Sequence, residues 1–229
     1  MIEHKELFAD SLASIGQTAG NLQVTLSSDL VRLLSEQLYQ SPLKAVEELV
    51  VNAYDADATE CRVYVPEPAA DRQRFVVVYD NGVGMDEKGL ENLWYIGHST
   101  KREKQVQKQA KRKQIGKFGI GKLATYTIAN KLTYISRTGK TILLVTLDFS
   151  ELTNDPTGGQ IRLPVILVTD WRRLRDNAAL IDACSAAKVD LDNLLVGNSK
   201  SWTIAILENL KLIVRANWKS VRERRDYYM

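Results

Sequence analysis

Residues 43–56 read Leu43-Lys-Ala-Val-Glu-Glu-Leu-Val-Val-Asn-Ala-Tyr-Asp-Ala56. Leu43, Val46, Leu49, Val50 and Ala53 recur at the three- and four-residue spacing of an amphipathic helix. Ser41-Pro42, just before them, offers a cap and a first helical residue whose missing N–H goes unneeded. On that helix Glu48, Asn52 and Asp55 stand at i, i+4 and i+7. They form one stripe, with turns ~5.4 Å apart, beside the apolar face and not opposite it. A carboxylate and a carboxamide so placed can hold a water and a hard cation: the amide oxygen ligates Mg2+ and the carboxylate takes a proton. Alone, the same spacing also fits the solvated polar edge of an ordinary helix.

Two glycine clusters follow. Phe75-Val-Val-Val-Tyr79 is a continuous apolar run of strand length that stops at Asp80-Asn-Gly82-Val-Gly84. The glycines let the backbone come close to a ligand, and the acceptor-only carboxylate of Asp80 suits an exocyclic amine such as that of adenine. Gly116-Lys117-Phe118-Gly119-Ile120-Gly121-Lys122 opens an apolar segment, Leu123–Ala129, which reads as a helix with an anion site at its N-terminal amides. The cluster nearly completes a P-loop. Leu123, however, stands where a Ser or Thr would bind Mg2+, and Lys111-Arg-Lys-Gln-Ile115 is not the buried strand a P-loop needs.

Around these motifs the chain alternates helices and strands. Helical spacing runs from Ser27 through Leu38, and Cys61–Val65 alternates as a strand. Helical character at Glu87–Tyr95 precedes strands at Leu132–Ser136, Thr141–Phe149 and Ile161–Thr169. Residues 171–195 are mainly helical, and Ser201–Leu207 is a last strand. Residues 6–20, polar and small, read as an N-terminal arm of low order. This order predicts an α/β (α+β) two-layer sandwich, a mixed sheet with helices packed on one face, in preference to a doubly wound fold.

Composition sets the bounds. A chain of 229 residues with 45% hydrophobic and 26% charged residues has the make-up of a globular domain. No apolar stretch approaches the ~20 residues that cross a bilayer, and Met-Ile-Glu-His-Lys-Glu lacks the apolar core of a secretion signal; a cytoplasmic protein is expected. Cys61, Cys184, His4 and His98 are the only Cys and His, so no zinc site or disulfide framework is expected. The net charge of +3 conceals a segregated pattern: residues 1–100 hold 7 Lys/Arg against 16 Asp/Glu, and residues 101–122 hold 9 against 1.

Four motifs in this order resemble the GHKL (Bergerat-fold) ATPases, nearest their microrchidia, MutL and heat-shock-chaperone branch. They are Glu48-Leu-Val-Val-Asn52-Ala-Tyr-Asp55-Ala, Asp80-Asn-Gly82-Val-Gly84-Met85, Ile96-Gly-His-Ser99-Thr100-Lys101 and Gly116 to Lys122. A late Thr203-Ile-Ala-Ile resembles the family's closing Thr strand, with Trp202 in place of the usual Gly. The resemblance implies that Glu48 is the general base for the attacking water and that Asn52 coordinates Mg2+. It implies that Asp80, with Thr203 through water, receives the adenine amine, while Gly82, Gly84 and Met85 line the base. Asp55, Ser99, Thr100, Lys101 and the Gly116–Lys122 cluster would complete the ATP site, with Gly119, Gly121 and Lys117 or Lys122 around the β- and γ-phosphates. Histidine kinases of this kind carry Asn where Glu48 stands, so hydrolysis is expected and not phosphotransfer.

The resemblance further implies an arm at 1–25, an ATPase domain at 26–214 with its lid at 97–122, and a charged helix or linker at 215–229. ATP-dependent homodimerisation is implied, with the arm reaching the partner. The basic lid closes over a polyanion, and nucleic acid is a second candidate partner for it. Little chain follows Thr203, so a fragment, or dependence on a downstream domain or partner protein, is expected, with slow turnover in isolation.

Overall fold

The computed structural model describes residues 8–25, 42–66, 75–94, 115, 121–150 and 160–211. Helix α1 (Phe8–Ala13) and strand β1 (Gln17–Thr25) come first, then α2 (Pro42–Asp55), β2 (Cys61–Tyr64), β3 (Phe75–Asp80) and α3 (Glu87–Trp94). A 3-10 helix (Gly121–Thr127) leads into β4 (Ala129–Thr138) and β5 (Thr141–Asp148). Strand β6 (Gln160–Leu167), helices α4 (Trp171–Arg175), α5 (Ala178–Ala186) and α6 (Leu191–Val196), and β7 (Ser201–Leu210) complete the order.

The seven strands form one sheet in the order β1-β6-β5-β4-β7-β3-β2. Every pairing in it is antiparallel, which corrects the expectation of a mixed sheet. The late strand β7 is what closes it, entering between β3 and β4 and running opposite to both.

Side chains alternate across the sheet as a pleated strand requires. Val76 and Val78 of β3, Leu132 and Tyr134 of β4 and Ala205 and Leu207 of β7 pack with Val46 and Leu49 of α2, Leu90 of α3 and Ile128. The intervening residues, among them Val77, Tyr79, Ile135, Ile204 and Ile206, pack with Leu12 of α1, Leu174, Leu180 and Leu194. Among the described residues helices therefore cover both faces, giving three layers. Expecting helices on one face overlooked the meaning of Phe75-Val-Val-Val-Tyr79: a strand apolar at every position has no solvent side.

The expected low-order arm is also corrected, for the residues described. Phe8, Leu12 and Ile15 are buried, and β1 is an edge strand paired along β6. Buried Glu208 of β7 accepts the Phe8 and Ala9 N–H groups at 2.5 and 3.0 Å, satisfying two donors that open α1. A hydrogen bond is worth about 0.5–1.5 kcal/mol net, and these two help fix the short helix against β7.

Asp170, Asn177 and Asp190 cap α4, α5 and α6 with their side chains, so the stretch read as one helical region is three short helices. The segment expected as a helix at Leu123–Ala129 is the 3-10 helix, with Ala129 already in β4. The helix expected at 27–38 and the stretch 215–229 lie outside the described residues. Among the described residues no helix is long and apolar enough to cross a membrane.

Candidate functional site

Helix α2 forms as its apolar spacing requires, with Pro42, Leu43, Ala45, Val46, Leu49 and Ala53 buried. Glu48, Asn52 and Asp55 are half-buried, at the margin of that face as expected. The helix ends in a Schellman turn. Asp57 takes a left-handed φ of 58°, its N–H donates to the Tyr54 carbonyl, and the Ala58 N–H donates to the Ala53 carbonyl at 3.1 Å.

That turn receives the loop after β3. The Val83 N–H donates to the Ala56 carbonyl at 2.9 Å, and Asn81 Oδ1 accepts from the Thr59 and Glu60 N–H groups, each at 2.8 Å. A Cβ at Gly82 would lie 2.6 Å from the Ala56 carbonyl oxygen. On its other side the loop rests on β4: Gly84 has φ +70°, and a Cβ there would lie 2.2 Å from the Arg137 carbonyl oxygen. The two glycines thus let one loop fit between the end of α2 and the backbone of β4.

Beside the loop, strand pairing brings a row of polar side chains together on the α2 face of the sheet. Asp80 lies directly opposite Thr203 across the β3–β7 ladder, and Thr203 directly opposite Ser136 across β4–β7. All three are buried, in a surface otherwise apolar. The Ser136 and Thr203 hydroxyls are 3.3 Å apart, and Ser136 Oγ accepts the Met85 N–H at 2.6 Å. Trp202, which replaces the small residue expected before Thr203, turns to the opposite face. There its Nε1 donates to the Leu194 carbonyl at 3.2 Å, which leaves the row undisturbed.

Asp80 is the charged group of the row. The Gly82 N–H donates to its Oδ1 at 2.9 Å, and burial nonetheless pushes its carboxyl up from 3.8 to about 6. Cys61, opposite Asp80 on β2, is pushed up to about 12 by its own burial and by the Asp80 and Glu60 charges, so its thiol stays protonated.

Asp55 makes a different contact: its Oδ1 accepts the Ile115 N–H at 2.8 Å, joining α2 to the segment expected to be the lid. Gly121 and Lys122 lie in the first turn of the 3-10 helix. Ser99, Thr100, Lys101, Gly116, Lys117, Phe118, Gly119 and Ile120 lie outside the described residues. Ser136 went unnoticed in the sequence, because a serine within an apolar strand carries no motif.

This arrangement defines an α/β domain in which a polar helix edge and a glycine loop flank one end of an antiparallel sheet. The family model described as "Histidine kinase-, DNA gyrase B-, and HSP90-like ATPase" matches residues 39–178, more than half the chain, and the chain belongs to that family. It is 38% identical over 109 residues to HgiDII of Herpetosiphon aurantiacus, a candidate type II restriction enzyme, covering 47% of this chain and 17% of that one. It is 38% identical over 76 residues to the DNA mismatch repair protein MutL of Endomicrobium trichonymphae, covering 33% and 12%. With the chaperone protein HtpG of Myxococcus xanthus it shares 30% identity over 130 residues, covering 48% and 20%. The matches thus span a fifth or less of each of these relatives.

Proposed function

We propose that this chain binds Mg-ATP and hydrolyses it, with Asp80 as the adenine ligand and Glu48 as the general base. The observation that carries the reading is the buried Asp80 carboxylate, set opposite Thr203 on the face covered by the helix that bears Glu48 and Asn52. A buried acceptor-only group gains from a ligand with two N–H donors, and the adenine amine is such a ligand. Thr203 reads the neighbouring ring nitrogen through water, while Gly82, Gly84 and Met85 line the base.

Among the described residues no three His, Cys, Asp or Glu side chains cluster as a metal cage. This fits Mg2+, which is commonly held by one or two protein oxygens together with substrate phosphates and water. Asn52 would supply such an oxygen, and the ion would neutralise charge on the phosphates. Glu48, one turn before Asn52 on the same stripe, orients the attacking water and takes its proton. Asp55 tethers the lid, and Ser99, Thr100, Lys101 and Gly116 to Lys122 surround the phosphates when it closes. Catalysis of this kind rests on positioning and charge stabilisation.

Lid closure with homodimerisation is part of the same proposal, as is a downstream domain or partner that raises slow intrinsic turnover. Light scattering with no nucleotide, ADP and a nonhydrolysable ATP analogue, alongside ATP turnover, tests it. A mass that doubles only with the analogue is expected. Absence of nucleotide binding would remove the reading, whereas binding with a rise in mass and no turnover would favour an ATP-gated clamp.

The Asp80 carboxyl also sets a pH dependence. Because its folded pKa of about 6 exceeds the ordinary 3.8, protonation favours the folded state, and its contribution to stability falls as pH rises through that window. Binding runs the other way, since the carboxylate is the stronger acceptor and, unlike the acid, presents no O–H donor to the amine. Affinity for ATP is expected to rise from pH 5 to 7 and then level off. A titration series flat across pH 6 would exclude the ionised Asp80 as the reader.

The names of two relatives, a restriction enzyme and a DNA mismatch repair protein, together with 9 Lys/Arg in residues 101–122, favour DNA as a further partner. Neutralising three of those lysines should then lower the log–log salt slope of DNA binding by about 2.7, at roughly 0.9 per contact. An unchanged slope would confine the basic run to ATP.

A further inference from the structure

Ser136 is fully buried on β4, its hydroxyl 3.3 Å from that of Thr203, and it belongs to none of the four motifs. A hydroxyl carries one hydrogen and two lone pairs. One lone pair of Ser136 is committed to the Met85 N–H at 2.6 Å, and its hydrogen has two acceptors at 3.3 Å, Thr203 Oγ1 and the Trp202 carbonyl. When Thr203 Oγ1 is the acceptor, the hydrogen of Thr203 is left for another partner beside Asp80, its neighbour across the β3–β7 ladder. The same residue fastens the glycine loop, because the Met85 bond falls next to the point where Gly84 presses on the Arg137 carbonyl.

We propose that Ser136 is a positioning residue for nucleobase choice: it makes Thr203 a donor and holds Met85 against β4. The site then offers an acceptor, Asp80, beside a donor, Thr203, whose hydrogen orients the bridging water to donate to the base. A 6-aminopurine presents the complement, an N–H donor beside a ring-nitrogen acceptor. A 6-oxopurine presents the reverse at both positions, and mismatched buried polar groups discriminate strongly. Ser136 thereby sets the preference for ATP over GTP while taking no part in the chemistry. This inference rests on the ATP-site reading above.

The test is calorimetric titration of the full chain with Mg-ATP and Mg-GTP, with steady-state turnover, for the unsubstituted protein and for Ser136→Ala, Ser136→Thr and Asp80→Asn. Ser136→Ala is expected to weaken ATP about tenfold and GTP much less, the size of one lost buried hydrogen bond. The ATP preference narrows accordingly, with kcat at saturation within twofold. Ser136→Thr, which keeps the hydroxyl, should restore the preference to within about threefold. A threonine variant no better than alanine, or an unchanged ATP-to-GTP ratio in Ser136→Ala, overturns the proposal. Should alanine fail to fold by circular dichroism, Ser136→Cys, similar in size but a weak donor, carries the same expectation. Failure of the unsubstituted chain to bind ATP would remove the site reading and this inference with it. ATP binding lost in Asp80→Asn, beside an unchanged ratio in Ser136→Ala, would overturn the inference alone.

Discussion

Glu48→Ala is expected to bind Mg-ATP within a few-fold of the unsubstituted chain and to turn it over about a hundredfold or more slowly. The size follows from the loss of a positioned general base, typically 10²–10⁴-fold. The retained binding follows from where Glu48 sits. It lies one turn before Asn52 on the half-buried edge of α2, whereas Asp80 and Thr203, the proposed readers of the base, lie on β3 and β7. Removing it takes away an interaction made chiefly in the transition state, so kcat falls and the ATP dissociation constant stays nearly unchanged. Single-turnover hydrolysis beside equilibrium titration separates the two quantities. Normal turnover in the variant would remove Glu48 from the mechanism.

Asp80→Asn should abolish measurable ATP binding although the substitution preserves size. The Gly82 N–H donates to Asp80 Oδ1 at 2.9 Å. In the variant that N–H would hold the amide oxygen and turn the NH2 group toward the base, where a donor would meet the donor of the adenine amine. A buried donor without an acceptor costs about 1–3 kcal/mol beyond the lost bond, and the carboxylate charge is lost as well. Removing the buried charge should at the same time raise stability at neutral pH, because the folded state no longer carries a desolvated carboxylate. Unchanged affinity in a nucleotide titration would separate Asp80 from the adenine site. A melting temperature below that of the unsubstituted chain at pH 7 would instead contradict the electrostatic account of Asp80.

Much of the fold was legible in the sequence, because local chemistry left marks there. The spacing of Leu43, Val46, Leu49 and Ala53 put α2 in place with its polar stripe at the margin of the buried face. The Asp80–Gly84 turn was legible too, since an apolar run that ends in Asp-Asn-Gly is a strand meeting a loop. Other features were missed because their cause lies at a distance. Residues 6–20 look polar and of low order, yet Gln17 onward forms β1 because β6 supplies the ladder hydrogen bonds that no local pattern announces. The second helical layer was missed although β3 and β7, apolar on both faces, already implied it.

The sequence by itself determined the chemical set and the family: a helix edge bearing Glu48, Asn52 and Asp55, and an acidic group beside two glycines. These are short-range facts, set by helical period and by what glycine permits. Only the tertiary structure decided which distant residues share a row. Asp80, Thr203 and Ser136 come from β3, β7 and β4; the middle strand, β7, lies far along the chain from both others, and the antiparallel registers of β3–β7 and β7–β4 bring the three residues to one level on one face. A one-residue slip in either register would turn a side chain to the other face, so the site exists through strand pairing as much as through its residues.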